Sequence, residues 1–306
     1  MAKYVVGMDI GGTNIRIAIQ QEGGAVEYFR KISRESVLTG RDTTKRLGGF
    51  ILEYCRTHIG EHLPQAIVIG FPATLDAPRR RILQAPNIPG LDGFSAEELE
   101  KMVGIPVYFE RDVNLLFYCD MEDLHLLPRG ISVGVYVGTG IGNAIFYEGR
   151  PLPGKNGVSG ELGHIPKSGA LQKCGCGNIG CSECFGSGLR LVAIRQDHFP
   201  DTPLDRLFTE KGNELVIREF VEEIACTVAA EVNILDPEQL VLGGGVLNMP
   251  DFPMEELERR IRAHTRWPFP AKNLVILRSQ DTVENGVRGA LALGWSLINY
   301  AGEETA

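Results

Sequence analysis

Residues 3–10 form an almost continuous apolar run that closes on Asp9. Apolar alternation resumes over 14–20, so the stretch predicts a hairpin whose turn is Asp9-Ile10-Gly11-Gly12-Thr13-Asn14. Leu47, Phe50, Ile51 and Tyr54 recur at helical spacing and predict a helix over 43–57. The short apolar run 66–71 reads as a buried strand, followed by a tract holding Pro72, Pro86 and Pro89. Ser95 with Glu98 three residues on is a capping box that predicts a helix start. A strand over 106–110 and a helix over 113–124 come next.

Strand alternation returns over 132–147 and gives way to a Gly/Pro-rich loop, 149–160. A cysteine-bearing loop precedes a helix starting at 188. Phe220, Ile224, Val228 and Val232, four apart, mark the longest helix, 214–235. A strand over 239–242 enters Gly243-Gly244-Gly245, and a late strand (274–277) and a closing helix (285–299) end the pattern. There is no sequence repeat of 20–50 residues. Strand hairpins followed by helices begin near both Tyr4 and Ser132, however, which predicts two similar α/β halves.

Composition narrows the class. A chain of 306 residues exceeds the roughly 250 that one hydrophobic core serves, so two domains are expected. With 43% hydrophobic and 23% charged residues, disordered and fibrous classes are excluded. A net charge of −8 weighs against a broad surface for nucleic acid or anionic membrane. The longest uncharged stretch, 131–147, carries Gly134, Gly138, Gly140 and Gly142 and reads as strand entering a glycine turn, not as a membrane helix. The apolar run 4–8 meets Asp9 too early for a secretory core, so a cytoplasmic location is expected. In that compartment, four clustered cysteines out of 7 point to metal rather than disulfides.

Three glycine turns follow strands. At Asp9 to Asn14, Gly11 and Gly12 let backbone N–H groups approach a phosphate, Thr13 and Asn14 add donors, and Asp9 could hold hydrated Mg²⁺; an ordinary hairpin turn has the same pattern. Gly138-Thr139-Gly140-Ile141-Gly142 lacks the strand–glycine–helix context of a dinucleotide fingerprint and fits a second phosphate clamp. Gly243, Gly244 and Gly245 could let a nucleotide ring lie against backbone, or form a plain turn. In Glu110-Arg111-Asp112-Val113-Asn114 a carboxylate at a strand end could accept a hydroxyl proton, although solvated helix starts carry similar residues. With an ordinary pKa near ~3.9, Asp112 would chiefly orient that hydroxyl.

The sharpest signal is Gly160-Glu161-Leu162-Gly163-His164 followed by Cys174-Gly175-Cys176-Gly177-Asn178-Ile179-Gly180-Cys181-Ser182-Glu183. His164, Cys174, Cys176 and Cys181 supply the N and three S ligands of a closed structural zinc site. A four-cysteine site using Cys184, or unligated thiols, are the alternatives.

Together these motifs resemble the sugar-kinase/actin/heat-shock-ATPase superfamily, and within it the ROK family of bacterial sugar kinases and repressors, over nearly the whole chain. The cysteine segment matches the signature CxCGxxGCxE, preceded by ExGH. The resemblance implies a two-domain, actin-like α/β fold with a cleft between the domains. The first domain would be 1–115, completed by helix 285–306, and the second 116–284 with its zinc-binding loop. It implies ATP with Mg²⁺ at the glycine turns, catalysis by Asp112, structural Zn²⁺, and a homodimer. Asn87, Arg111, Asp112, Glu161, His164 and Glu183 would bind the sugar. Arg111 stands where the family usually has Asn, and Asn87-Ile88-Pro89 lacks the usual following Trp. These tracts, with Gly243 to Pro253, look most like the D-allose kinase branch; glucose, fructose, mannose and N-acetylmannosamine are the alternative acceptors. Repressors of the family carry a helix-turn-helix region ahead of the first glycine turn, and Asp9 stands too near the start for one. Retention of Asp112 argues against a catalytically silent sugar-sensing regulator.

Other conspicuous residues have plainer readings. Arg79-Arg80-Arg81 is expected as a solvated turn, Arg259, Arg260 and Arg262 as a solvated helix face, and Trp267 as a packing anchor. Cys184 is expected to be buried, and His58, His62, His125, His198 and His264 lack partners at ligand spacing.

Overall fold

The computed structural model describes residues 2–38, 42–86, 88–280 and 282–303. Asn87 lies outside the described residues. The chain divides into two compact units, residues 1–123 with 153–159 and 282–306, and residues 124–152 with 160–281.

The first unit is built on strands β1 (Tyr4–Ile10), β2 (Asn14–Gln21), β3 (Val26–Ser33), β4 (Ala66–Phe71) and β7 (Val107–Arg111), with a small pair β5 (Thr74–Leu75) and β6 (Ile82–Gln84) beside them. The sheet order is β3-β2-β1-β4-β7. β1 and β2 form the expected antiparallel hairpin, whereas β1, β4 and β7 run parallel. Alternation sorts the two faces of β1. Val6, Met8 and Ile10 pack in the core with Leu47, Ile51 and Tyr54 of helix Thr43–Ile59. Val5 faces Val287 and Leu291 of helix Asn285–Glu303, which also packs on helix Asp112–Asp123. Ser95 does stand at the N-cap of helix Ala96–Val103, but its side chain makes no capping bond.

In the second unit, strands β8 (Ile131–Val137), β9 (Ile141–Tyr147), β10 (Arg150–Pro151), β11 (Gln239–Gly243) and β12 (Ile276–Arg278) are ordered β10-β9-β8-β11-β12. Again a hairpin leads, and β8, β11 and β12 are parallel. The two sheets therefore repeat one topology without repeating sequence. Val133, Val135 and Val137 pack against the spacing-four stripe Phe220, Ile224, Val228 and Val232 of helix Leu215–Leu235. Among the described residues no helix is long and apolar enough to cross a membrane.

Several surface expectations are corrected. Arg79 is ion-paired with Glu110 and Arg80 donates to the Val107 carbonyl at 2.6 Å, so these two are clamps, whereas Arg81 is exposed as expected and donates to the Gly93 carbonyl at 2.9 Å. Arg260 is wedged between Glu256 and Glu222 at 2.6 and 2.8 Å. Trp267, expected as a packing anchor, is instead 72% exposed. Cys184 is half-buried.

Under β9 lies a buried polar pair. Asn143 donates to the Gly134 carbonyl (3.1 Å) and to Glu231 Oε2 (3.0 Å). Burial pushes the Glu231 carboxyl up to about 8, only partly opposed by the bond from Asn143. Between the ordinary carboxyl pKa, about 4.3, and about 8, native Glu231 keeps a proton that the unfolded chain releases, so stability falls as pH rises through that window. Glu231→Gln keeps the acceptor and removes the titration. It is expected to raise Tm at pH 8.5 and to leave it nearly unchanged at pH 4.5, which calorimetric scans at the two pH values would check.

Candidate functional site

In the first unit, parallel register determines what stands together. Asp9 pairs with Gly70, and Gly70 with Glu110, so the three lie side by side at the carboxyl edge of β1, β4 and β7. Ligand-binding groups collect at this edge in open α/β sheets. The turn beyond Asp9 is closed by Gly11 N–H to the Asn14 carbonyl (2.9 Å), and Asn14 Nδ2 donates to Thr13 Oγ1 at 2.8 Å. Gly12 and Thr13 are exposed at its tip. Asp9 is held by Arg16 Nη1 at 2.8 Å, and Gly286, at the start of helix Asn285–Glu303, packs directly on it. Burial raises the Asp9 carboxyl, with Arg16 pulling the other way. Arg16 was missed in the sequence; it sits directly across the hairpin from Asp9, which counting outward from the turn would have found.

Asp112 opens helix Asp112–Asp123 immediately after β7. Its carboxylate accepts the Val113 N–H at 2.9 Å. Burial, then the negative charge of Asp9, push its pKa up to about 7. This corrects the expectation of an ordinary, weakly basic Asp: a carboxylate titrating near neutrality can accept a proton as well as orient its donor. Arg111 Nη1 donates to the Ser159 carbonyl at 2.7 Å, so its guanidinium ties the strand end to segment 153–159.

The second unit brings the other candidates together. The turn at Gly138, Thr139 and Gly140 is closed by Gly138 N–H to the Gly140 carbonyl (3.0 Å) and leads straight into β9, on which Gly142 lies. Gly188 and Leu189, opening helix Gly188–His198, donate to the Gly138 and Thr139 carbonyls at 2.8 and 3.1 Å. β11 runs beside β8, so Gly243, paired with Tyr136, carries Gly244 and Gly245 to the same edge as this turn. Gly244 has φ 95°, and a Cβ there would lie 2.6 Å from Val137 backbone, so only glycine fits.

His164 ends a 3₁₀ turn, Leu162–His164, and meets the cysteine loop. The ligand atoms of His164, Cys174, Cys176 and Cys181 all lie within 4.8 Å of one another, and Cys184 is outside the group. Cys176 and Cys181 sulfurs are 3.7 Å apart, as are Cys174 Sγ and His164 Nδ1. Tetrahedral zinc with Zn–S near 2.3 Å requires sulfurs about 3.8 Å apart, so the donor set fits a zinc ion in both chemistry and spacing. Left-handed Gly177 (φ 97°) and Gly180 (φ 79°) make the tight turns between Cys176 and Cys181. The Asn178 N–H holds the Cys176 thiol below its ordinary value, whereas burial raises the Cys174 and Cys181 thiols.

Glu183 links the cluster to the glycine turn. Its Oε1 accepts from the Cys174 thiol at 3.0 Å and lies 3.6 Å from His164 Nδ1, while its Oε2 rests against Gly140. A metal-bound thiolate cannot donate, so metal at Cys174 and this hydrogen bond exclude each other. Glu161 Oε2 lies 3.7 Å from His164 Nε2, the place of the carboxylate that commonly orients a metal-ligating histidine. A second grouping, Glu222, Cys226 and His264, gives His264 the partner that the sequence did not reveal, Glu222 at 2.6 Å. There the Arg260 guanidinium, 2.8 Å from Glu222, already supplies the positive charge that a cation would bring.

The ROK family model matches residues 5–295. The chain belongs to the ROK family. It is 28% identical over 305 residues to the N-acetyl-D-glucosamine kinase of Vibrio cholerae serotype O1, covering 94% of this chain and 98% of that one. Among solved structures, the ROK hexokinase from Thermus thermophilus is 27% identical with a TM-score of 0.78, covering 97% of this chain and 99% of that chain. A ROK family glucokinase from Streptomyces griseus, solved with glucose and AMPPNP, has the same fold (TM-score 0.75, 24% identity, 96% and 99% covered). N-acetyl-D-glucosamine is not among the acceptors weighed from the sequence.

The cluster predicts about one zinc per chain, since four ligands close one tetrahedral site. Cys181→Ser is expected to drop bound zinc severalfold and lower Tm, with elemental analysis and thermal scans as the measurements. Full zinc retention would exclude Cys181 from the ligand set.

Proposed function

We propose that this ROK-family sugar kinase transfers the γ-phosphoryl group of ATP to the 6-hydroxyl of an aldohexose, with D-allose as the first candidate. The observation that carries the catalytic part is Asp112: a half-buried carboxylate at the carboxyl edge of the parallel strands, titrating near 7. In the proposed reaction Asp112 accepts the proton of the attacking hydroxyl as that oxygen closes on the γ-phosphorus and the bond from the γ-phosphorus to the β–γ bridging oxygen breaks, releasing ADP. The turns at Gly11 to Asn14 and Gly138 to Gly142 would offer N–H groups to the phosphates, Gly243 to Gly245 would take the adenosine, and Asp9, whose Oδ2 is held by Arg16, would be the carboxylate for the hydrated Mg²⁺ that accompanies ATP. Asn87, Arg111, Glu161, His164 and Glu183 meet the sugar. Ionised carboxylates accept strongly from hydroxyls, and an acceptor left without its hydroxyl is costly, which is how such a site discriminates epimers. Zinc, held by His164, Cys174, Cys176 and Cys181, would supply rigidity to the loop presenting Glu183. Each of the two units serves as one domain, and a homodimer is the proposed assembly.

D-allose rests on the Arg111, Asn87-Ile88-Pro89 and Gly243 to Pro253 tracts. The Arg111–Ser159 bond supports a pocket lined differently from that of relatives with Asn at this position. The second reading, N-acetyl-D-glucosamine, is favoured by the 28% identical relative from Vibrio cholerae. ADP release measured with D-allose, D-glucose, D-mannose, D-fructose, N-acetyl-D-glucosamine and N-acetyl-D-mannosamine ranks the acceptors by kcat/KM. Allose leading by about tenfold or more, or ~1.4 kcal/mol of transition-state discrimination, is the expected result. A lead for N-acetyl-D-glucosamine replaces the acceptor and keeps the kinase, whereas no sugar-stimulated turnover removes the kinase reading.

Asp112 also sets a pH dependence. Below about 7 it carries a proton and cannot accept another, so kcat/KM is expected to fall about tenfold per pH unit on the acid side. Asp112→Asn should lower kcat by a factor on the order of 10³ while sugar still binds, checked by initial rates and calorimetric titration. A flat profile down to pH 5.5 would exclude the proton-accepting role.

A further inference from the structure

Glu110 is buried to 2% exposure, yet it is a carboxylate at the end of β7. Burying an unpaired carboxylate costs several kcal/mol, so its partners matter. Oε2 is ion-paired with Arg79 Nη1. Oε1 accepts the Arg111 N–H at 2.8 Å and Asn114 Nδ2 at 2.8 Å. One carboxylate thus grips the chain on both sides of Asp112.

Arg79 reaches it from a turn built to present it. Its φ of 55° is left-handed, a conformation that costs a non-glycine residue roughly 1–2 kcal/mol. Asp76 holds the turn: its carbonyl accepts Arg79 N–H at 2.8 Å, and its Oδ1 accepts the N–H groups of Arg80 and Arg81 at 2.6 and 2.9 Å. Arg80 then grips Val107, where β7 begins, while Arg79 grips Glu110 near its end. Strain held this firmly commonly marks a functional position.

We propose that Arg79 is a positioning residue for Asp112, acting through Glu110 to fix the strand-to-helix turn from which Asp112 projects. The inference deepens the kinase reading and rests on Asp112 being the proton acceptor. Without Arg79, Glu110 is a buried charge lacking its cation. It then either takes a proton or withdraws toward water, and in both cases its grip on Arg111 and Asn114 changes. Misplacing a reacting group by about 1 Å costs on the order of 10²-fold in rate.

The test uses the full chain, active-site concentrations and the best acceptor sugar, with Arg79→Met, Arg79→Lys, Glu110→Gln, the Arg79→Met/Glu110→Gln double variant and Asp112→Asn. Arg79→Met is expected to lower kcat per folded molecule by about 30–100-fold and to leave KM for ATP within about threefold. Arg79→Lys, which keeps the charge, should recover at least about tenfold of that loss. In the double variant the two losses should not multiply, because the residues act through one pair. A purely structural role would lower Tm and leave kcat per folded molecule unchanged; that result for Arg79→Met overturns the proposal. If Arg79→Met does not fold, an unchanged kcat in both Arg79→Lys and Glu110→Gln overturns it equally, and a reduced one sustains it. Multiplicative losses in the double variant would also overturn it. An active Asp112→Asn would instead sink the underlying reading of Asp112, so the two failures are distinguishable.

Discussion

Parallel pairing of β1, β4 and β7 in one register forces Asp9, Gly70 and Glu110 onto a single line, with Asp112 just beyond. In the second unit the same arrangement of β8 and β11 brings the glycine turn after Val137 and the three glycines after Leu242 to one edge. A parallel strand must leave its sheet at its carboxyl end and return by another route. Polar residues following those strands therefore gather even when a hundred positions separate them in sequence. Both units obey this constraint, and both place their candidate chemistry on it.

Burial then gives similar carboxylates different behaviour. Glu110, although burial raises it, is met by a guanidinium, an amide and a backbone N–H. Asp112 is pushed up to about 7 by burial first and the charge of Asp9 second, against the pull of the Val113 N–H and of Arg111. Glu231 has only the Asn143 amide and reaches about 8. Burial raises all three, and what opposes or adds to it differs: a guanidinium, an amide and a backbone N–H oppose it at Glu110, the charge of Asp9 adds to it at Asp112, and the Asn143 amide opposes it at Glu231. Glu183 shows the same economy, touching the cysteine cluster with one oxygen and the glycine turn with the other.

Hydrophobic periodicity made much of the fold legible, because strands and helices that bury one face must repeat every two or about 3.6 residues. The β1–β2 and β8–β9 hairpins and helix Leu215–Leu235 stand where that pattern predicted them. β3 carries half-buried and exposed positions and gave no such pattern. Arg79 and Arg80 were misread for a related reason, whereas Arg81 is exposed as expected: a run of charges looks solvated until partners such as Glu110 and Val107, 31 and 27 residues away, are known. Trp267 was misread in the opposite sense, since bulk favours burial but cannot ensure a neighbour.

The sequence by itself determined the family and brought out the candidate ligands of the cysteine cluster and the glycine turns, because each lies within a short stretch whose spacing constrains its chemistry. Only the tertiary structure decided that Asp112 titrates near neutrality, that Arg111 holds the Ser159 carbonyl, and that Arg79 serves a buried carboxylate. These properties depend on burial and on charges brought close by strand register. Neither is a function of local sequence: both emerge when distant segments are packed together and water is removed from between them.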